Sequence, residues 1–277
     1  MRIASFAAAL ASVATLTGCI VPELDNYPAD KSKGSGTTVV GEDTVSTGGG
    51  DTGGTGSNCT PGTYYGSVVL DGTGASDAFN SECTVSGSVT VLPSATAAEI
   101  DKLQRIQWIN GSLVLSVPPL AASLTLAYLQ TVSGVISIEN SGALQQLNLA
   151  GLVQTGSLSI QNNGSLVLLQ APAIANPIQS ITVTGNTALQ ALDLTGYMVT
   201  GIINISNNSQ LTRISMTSLS SVAQFFINNN PLLQQMLVPA AGLSVTSQWS
   251  VCHNPNIEAN WLAAFKAAHP AGGAICN

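Results

Sequence analysis

Few side chains in this sequence could do covalent, acid–base or metal chemistry, and their spacing limits what that chemistry is. Five cysteines are present: Cys19, then Cys59 and Cys83, then Cys252 and Cys276. The last four form two couples, each 24 residues apart, although four cysteines allow three pairings. No close C-x-x-C or H-x-x-x-H spacing accompanies them, which argues against zinc. Asp71, Asp77 and Glu82 surround a Gly-rich turn and offer oxygen ligands of the kind that hold Ca²⁺. Their spacing is not that of an EF-hand loop, and solvated turn acids are the preferred reading. Beyond Ile106 the ionisable groups thin out to Glu139, Asp193, Arg213, Glu258 and Lys266, with His253 and His269. No serine sits in a G-x-S-x-G elbow with a histidine to activate it. A catalytic site needs titratable groups placed together, so the expectation is a protein that is not an enzyme and has no cofactor.

The elements that would position these residues are set by a repeat. One phrase recurs: Gly66-Ser67-Val68-Val69-Leu70, Gly87-Ser88-Val89-Thr90-Val91, Gly111-Ser112-Leu113-Val114-Leu115, Gly134-Val135-Ile136-Ser137-Ile138 and Gly156-Ser157-Leu158-Ser159-Ile160. Weaker copies close on Val183, Ile205, Ile227 and Val251. From Leu70 onward the closing aliphatics are spaced 21, 24, 23, 22, 23, 22, 22 and 24 residues apart. So steady a period marks a stacked-repeat architecture. Within each phrase apolar and small polar residues alternate, which predicts a half-buried strand with Leu158 and Ile160 inward and Ser157 and Ser159 outward. A turn cluster follows each strand: Asn162-Asn163, Gly185-Asn186, Asn207-Asn208, Asn228-Asn229-Asn230 and Asn254. Asparagine bonds to nearby backbone and tolerates left-handed conformations. Stacked in register, such residues would form an amide ladder. A second apolar set comes after the turn, as in Leu144, Leu147 and Leu149 or Leu189, Leu192 and Leu194. About nine coils at roughly 4.8 Å each give a stack about 40 Å high. A β-sandwich would instead show turn signals every 8–12 residues or so. Glu139 and Asp193 fall at different phases of the repeat, which separates them around the coil and disfavours a hydrolytic pair.

One circuit brings the chain back to nearly the same place, so the spacing predicts Cys59–Cys83 and Cys252–Cys276 disulfides. Solenoid ends need covers. At the C-terminal end Asn256 is expected to cap a helix over Ile257 to His269, with Ile257, Trp261, Leu262, Phe265 and Ala268 on its inner face. Ala95 to Leu103 reads as a short helix with Ile100 and Leu103 turned inward.

The N-terminus is a targeting segment. Arg2 precedes an apolar run from Ala4 to Thr17, and Leu16-Thr17-Gly18-Cys19 follows the order apolar, small, small, cysteine. This resembles the bacterial lipobox, which implies cleavage before Cys19 and acylation of its thiol. Two or more acyl chains give a stable membrane anchor. Ile20 stands after the cysteine where Asp would favour inner-membrane retention, so the outer membrane is favoured over the inner. The domain expectation is a signal peptide over 1–18, a lipidated Cys19 with a Gly/Ser/Thr-rich linker over 19–58, and a solenoid over 59–277. The linker contains Gly48-Gly49-Gly50 and Gly53-Gly54 and has too few large apolar side chains for a core. A flexible coil of about 35 residues spans about 30–35 Å, enough to hold a domain clear of lipid headgroups.

The pattern G-x-L-x-I-x-N-N-x-x-L-x-x-L-x-L, best between Gly134 and Leu211, resembles the receptor L domain, a leucine-rich-repeat-like solenoid of receptor ectodomains, fungal wall proteins and bacterial lipoproteins. The resemblance spans about residues 59–276. It implies a mainly β, right-handed parallel β-solenoid of L-domain type with a short C-terminal capping helix, and a surface location. It does not imply hormone binding, because the receptors' contact loops have no counterpart in so compact a sequence. Charged residues are only 8% of the chain against 45% hydrophobic, so the polar surface must come from Ser, Thr, Asn and Gln. A net charge of −7 with seven Lys plus Arg argues against a nucleic-acid partner. The expected partners are the membrane, through the N-terminal lipid, and a glycan or another envelope protein, met by neutral hydrogen bonds. A glycan-active β-helix enzyme is the alternative.

Overall fold

In the phrase that closes on Ile160, alternation places Leu158 and Ile160 on one side of an extended chain, and both are fully buried. The computed structural model describes residues 59–74, 78–118, 121–171, 174 and 176–276. The chain divides into two units, Met1–Thr52 and Gly53–Asn277; every described residue lies in the second. Calcium candidate Asp77 and lipidation candidate Cys19 lie outside the described residues.

The described chain winds into a β-solenoid of about nine turns whose strands pair in parallel. One thirteen-stranded sheet runs the length of the stack, and two three-stranded sheets form another side of the coil. The predicted register holds at every step. Leu70 pairs with Val91, Val91 with Leu115, and Leu115 with Ile138. The series continues through Ile160, Val183, Ile205, Ile227 and Val251. Ile275 then adds a further rung on the short strand Gly273–Cys276.

The first three coils differ from the rest. Each splits its strand in two: Thr60–Tyr64 and Val68–Leu70, Glu82–Val85 and Val89–Val91, Trp108–Ile109 and Leu113–Leu115. The halves merge in Thr131–Glu139, which pairs with both. The glycine that opens each phrase lies at the bend. The Gly111 amide bonds to the Gly87 carbonyl at 3.0 Å, and a Cβ on Gly111 would stand 2.7 Å from that carbonyl group. Coils can stack this closely only without a side chain there.

The core consists of aliphatic columns parallel to the stack. Leu144, Leu166, Leu189, Leu211 and Leu233 form one, continued by Ile257, and all are buried. Burying each such side chain contributes about 1.5–3 kcal/mol, and only a neighbouring coil can supply the cover. Another column runs Leu129, Leu152, Ile174, Tyr197, Leu219 and Leu243. Tyr197 puts a hydroxyl into that apolar row, and the oxygen has no hydrogen-bond partner. Burial pushes this phenol well above the usual tyrosine range.

Both ends are stapled and covered. Cys59–Cys83 and Cys252–Cys276 are disulfides, with Cα atoms 5.1 and 4.4 Å apart, and each crosses one coil. Helix α1 (Ala97–Gln104) buries Ile100 and Leu103 as expected. Its N-terminus is a capping box: the Thr96 hydroxyl accepts from the Glu99 amide, and the Glu99 carboxylate accepts from the Thr96 amide at 2.7 Å. That carboxylate is itself buried and also accepts from the Gly72 amide at 3.0 Å. Helix α2 (Ala259–Ala268) starts two residues later than the sequence predicts, with Glu258 at the N-cap and no side-chain cap. Asn256 instead donates to the Pro231 carbonyl at 2.6 Å. The inner face holds Ile257, Trp261 and Phe265, but Ala268 is exposed and His269 is buried in its place. Phe265 sits 5.2 Å from Trp249 and 5.6 Å from Phe225, which seats α2 on the last coils.

Candidate functional site

The turn cluster after each main strand builds two adjacent rows with opposite fates. The inner row is Ser141, Asn163, Asn186, Asn208, Asn230 and Asn254, all buried. Each asparagine reaches back one coil. Its Oδ1 accepts the backbone N–H of the inner-row residue before it: Asn163 from Ser141 at 2.9 Å, Asn208 from Asn186 at 3.0 Å, Asn254 from Asn230 at 2.9 Å. Its Nδ2 donates to the carbonyl of the earlier coil's closing aliphatic: Asn186 to Ile160 at 2.8 Å, Asn208 to Val183 at 2.9 Å, Asn230 to Ile205 at 3.0 Å. Side-chain amides also bond to one another, as from Asn163 to Asn186 at 3.1 Å. This is the amide ladder expected from the sequence. It satisfies backbone groups that a buried turn would otherwise orphan. The same residues then close i to i+3 turns, such as Leu211 N–H to Asn208 O at 3.1 Å, that swing the next leucine inward.

The outer row is Asn140, Asn162, Gly185, Asn207, Asn229 and His253, each immediately before an inner-row residue. All six have left-handed backbone, with φ between 55° and 69°. Asparagine and histidine are among the non-glycine types most often found there. At Gly185 a Cβ would collide with the Asn162 side-chain oxygen. The five side chains are exposed, and among the described residues none has a hydrogen-bond partner. At the C-terminal end Asn207, Asn229 and His253, with Ser209 and Pro231, line a shallow groove of about 410 Å³.

The outward face of the main sheet lies beside this corner. Its rows run Ser137, Ser159, Thr182, Asn204 and Phe226, and Glu139, Gln161, Thr184, Ser206 and Asn228. Many of these groups are already paired along or between strands. Gln161 donates to the Ser159 hydroxyl at 2.8 Å, and Ser250 donates to Asn228 at 2.9 Å. Ser157, expected on this face, is almost wholly covered, and its hydroxyl accepts from Ser180 at 3.0 Å. The register shifts between Thr155 and Ser157, and the Thr155 hydroxyl donates to the Ser157 carbonyl at 3.1 Å.

No family model, curated protein or solved structure matches this chain. Glu139 lies on the main sheet, and Asp193 on the short strand Ala191–Asp193 of another sheet, so the two acids are apart as the repeat phase implies. The sequence did not reveal that Arg213 lies one coil from Asp193, on the neighbouring strand Arg213–Ser215. Asp193 is held below the usual carboxylate range, first by the Thr195 hydroxyl and amide and then by attraction to Arg213. It borders a crevice of about 350 Å³ with Ala150, Leu169, Gln170 and Ala171. Asp71 and Glu82, the calcium candidates among the described residues, are engaged in turns. Asp71 accepts from the Thr73 amide and hydroxyl at 2.9 and 2.7 Å, and Glu82 accepts from the Asn80 amide at 2.9 Å. Among the described residues no three His, Cys, Asp or Glu side chains come together to hold a metal. His253 sits in the outer row and His269 in the core.

Proposed function

We propose that this chain is a lipid-anchored protein of the bacterial cell envelope, on the outer membrane or cell surface, whose solenoid serves as a non-catalytic binding or structural module. The observation that carries the reading is the register-aligned, largely neutral polar surface, broken in the two sheet-face rows only by Glu139 and Phe226. Hydroxyls and carboxamides recur once per coil on the sheet face and along the asparagine corner, on a backbone locked by the buried ladder. Such a surface suits contact with glycans or with another envelope protein through neutral hydrogen bonds. The two disulfides favour an oxidising, extracytoplasmic site. The anchor is argued from Leu16-Thr17-Gly18-Cys19. Among the described residues no helix is long and apolar enough to cross a membrane. We also propose that the fold is of the receptor L-domain kind, on the strength of the strand, asparagine and leucine pattern.

Labelling cells with a palmitate analogue tests the anchor: the full chain takes up label, and Cys19→Ser does not. Label retained by Cys19→Ser would overturn it. Protease shaving of intact cells tests the location. Removal of the solenoid before permeabilisation is expected, and protection until permeabilisation would overturn the surface placement.

A further inference from the structure

The outer row of the asparagine corner poses a chemical question that the surface reading leaves open. Glycine would relieve the left-handed backbone at all six of its positions, yet five carry a polar side chain. Those side chains have no partner within the described fold, whereas the side chains one residue later are engaged.

We propose that Asn207, Asn229 and His253, with the groove they share with Ser209 and Pro231, bind a neutral, extended, β-linked oligosaccharide lying along the solenoid axis, one sugar per coil. The proposal rests on the binding-module reading above and names its ligand. A carboxamide both donates and accepts, and so does a pair of neighbouring sugar hydroxyls. The groove lining carries no carboxylate, lysine or arginine, and its two amides, hydroxyl and imidazole offer the donors and acceptors that neutral hydroxyls need. Its polar groups recur once per coil, about 4.8 Å apart. An extended β-linked chain can follow such a row over several units, whereas a helical α-linked chain curves away. The Pro231 ring supplies an apolar surface for the C–H face of a sugar. The buried ladder fixes the backbone beneath, so little ordering is lost on binding. The volume, about 410 Å³, is within the usual range for ligand sites. Gly185 interrupts the row on the N-terminal side of Asn207, which sets the uninterrupted site at three rungs.

The test is calorimetric titration of the purified full chain with cello- and chito-oligosaccharides from mono- to hexasaccharide, with malto-oligosaccharides as the helical comparator. Affinity is expected to climb to the trisaccharide and then level off, with malto-oligosaccharides about tenfold weaker at equal length. An Asn207→Gly/Asn229→Gly double variant keeps the left-handed backbone and removes both amides. It should bind about tenfold more weakly, the effect of losing one or two hydrogen bonds, with an unchanged circular dichroism spectrum and melting temperature. Undiminished binding by a folded double variant would overturn the site. No binding of any neutral oligosaccharide by the wild-type chain would overturn the ligand class. Neither failure touches the labelling and shaving tests, which do not involve the groove.

Discussion

Replacing Asn208 with alanine tests the ladder at its middle. Asn208 is fully buried, and its carboxamide satisfies two backbone groups of the previous coil: the Asn186 N–H at 3.0 Å and the Val183 carbonyl at 2.9 Å. Alanine leaves both without a partner. A buried unsatisfied polar group costs about 1–3 kcal/mol, so the pair predicts a loss of about 2–6 kcal/mol. The adjacent Asn207 is the control. It is exposed, its amide is free, and its φ is 60°. Asn207→Gly should therefore change stability by no more than about 0.5 kcal/mol. Equilibrium urea unfolding followed by far-ultraviolet circular dichroism and by tryptophan fluorescence measures both variants. Trp108 lies in the third coil, and Trp249 and Trp261 at the opposite end, so agreement between the two probes checks that the stack unfolds as one unit. An Asn208→Ala variant within about 1 kcal/mol of wild type would refute the ladder as a stabilising element.

Three further outcomes follow from the same geometry. Tyr197→Phe removes a buried hydroxyl that bonds to nothing and should raise stability by about 1 kcal/mol or more in the same assay; a loss would show that the hydroxyl has a partner. Gly111→Ala should cost about 1–3 kcal/mol because its Cβ meets the Gly87 backbone, whereas Gly142→Ala, with open space around it, should be neutral or slightly stabilising in thermal melts. Asp193 is ionised more easily in the folded chain than its ordinary value of 3.8 implies, so it adds stability above that pH and loses it as pH falls through the lower folded value. Wild type should thus exceed Asp193→Asn by a small margin at neutral pH, and the margin should close in acid; a margin that grows in acid would reverse the sign.

The stacking was legible because it depends on local alternation and a fixed period. The closing aliphatics from Leu70 to Val251 pair in the register their spacing implies, and the terminal cysteines meet because each couple is one circuit apart. The asparagine ladder was legible as residue type and position. Which of two adjacent asparagines turns inward was not, because that depends on a left-handed residue preceding each buried one. The burial of Glu99 was hidden for another reason: its Gly72 partner is 27 residues away on the previous coil. Asp193 and Arg213 are only 20 residues apart, short of the coil period, but Arg213 stands opposite Ala191, so it lies diagonally across from Asp193 on the adjacent strand. Asn256 has the chemistry of a helix cap, but the Pro231 carbonyl takes its amide, so the helix starts later.

Because every ladder carboxamide reaches toward the preceding coil, the stack has a head and a tail. Two molecules joined end to end could extend that polarity only tail to head, and such a contact, stacked along one axis so that no ring closes, would grow as a fibre. The terminal features read as stops against this outcome. Pro61 removes an amide hydrogen from the first edge strand, and α2 lies across the last coils. A regular tower that would otherwise polymerise is thereby kept to a defined length.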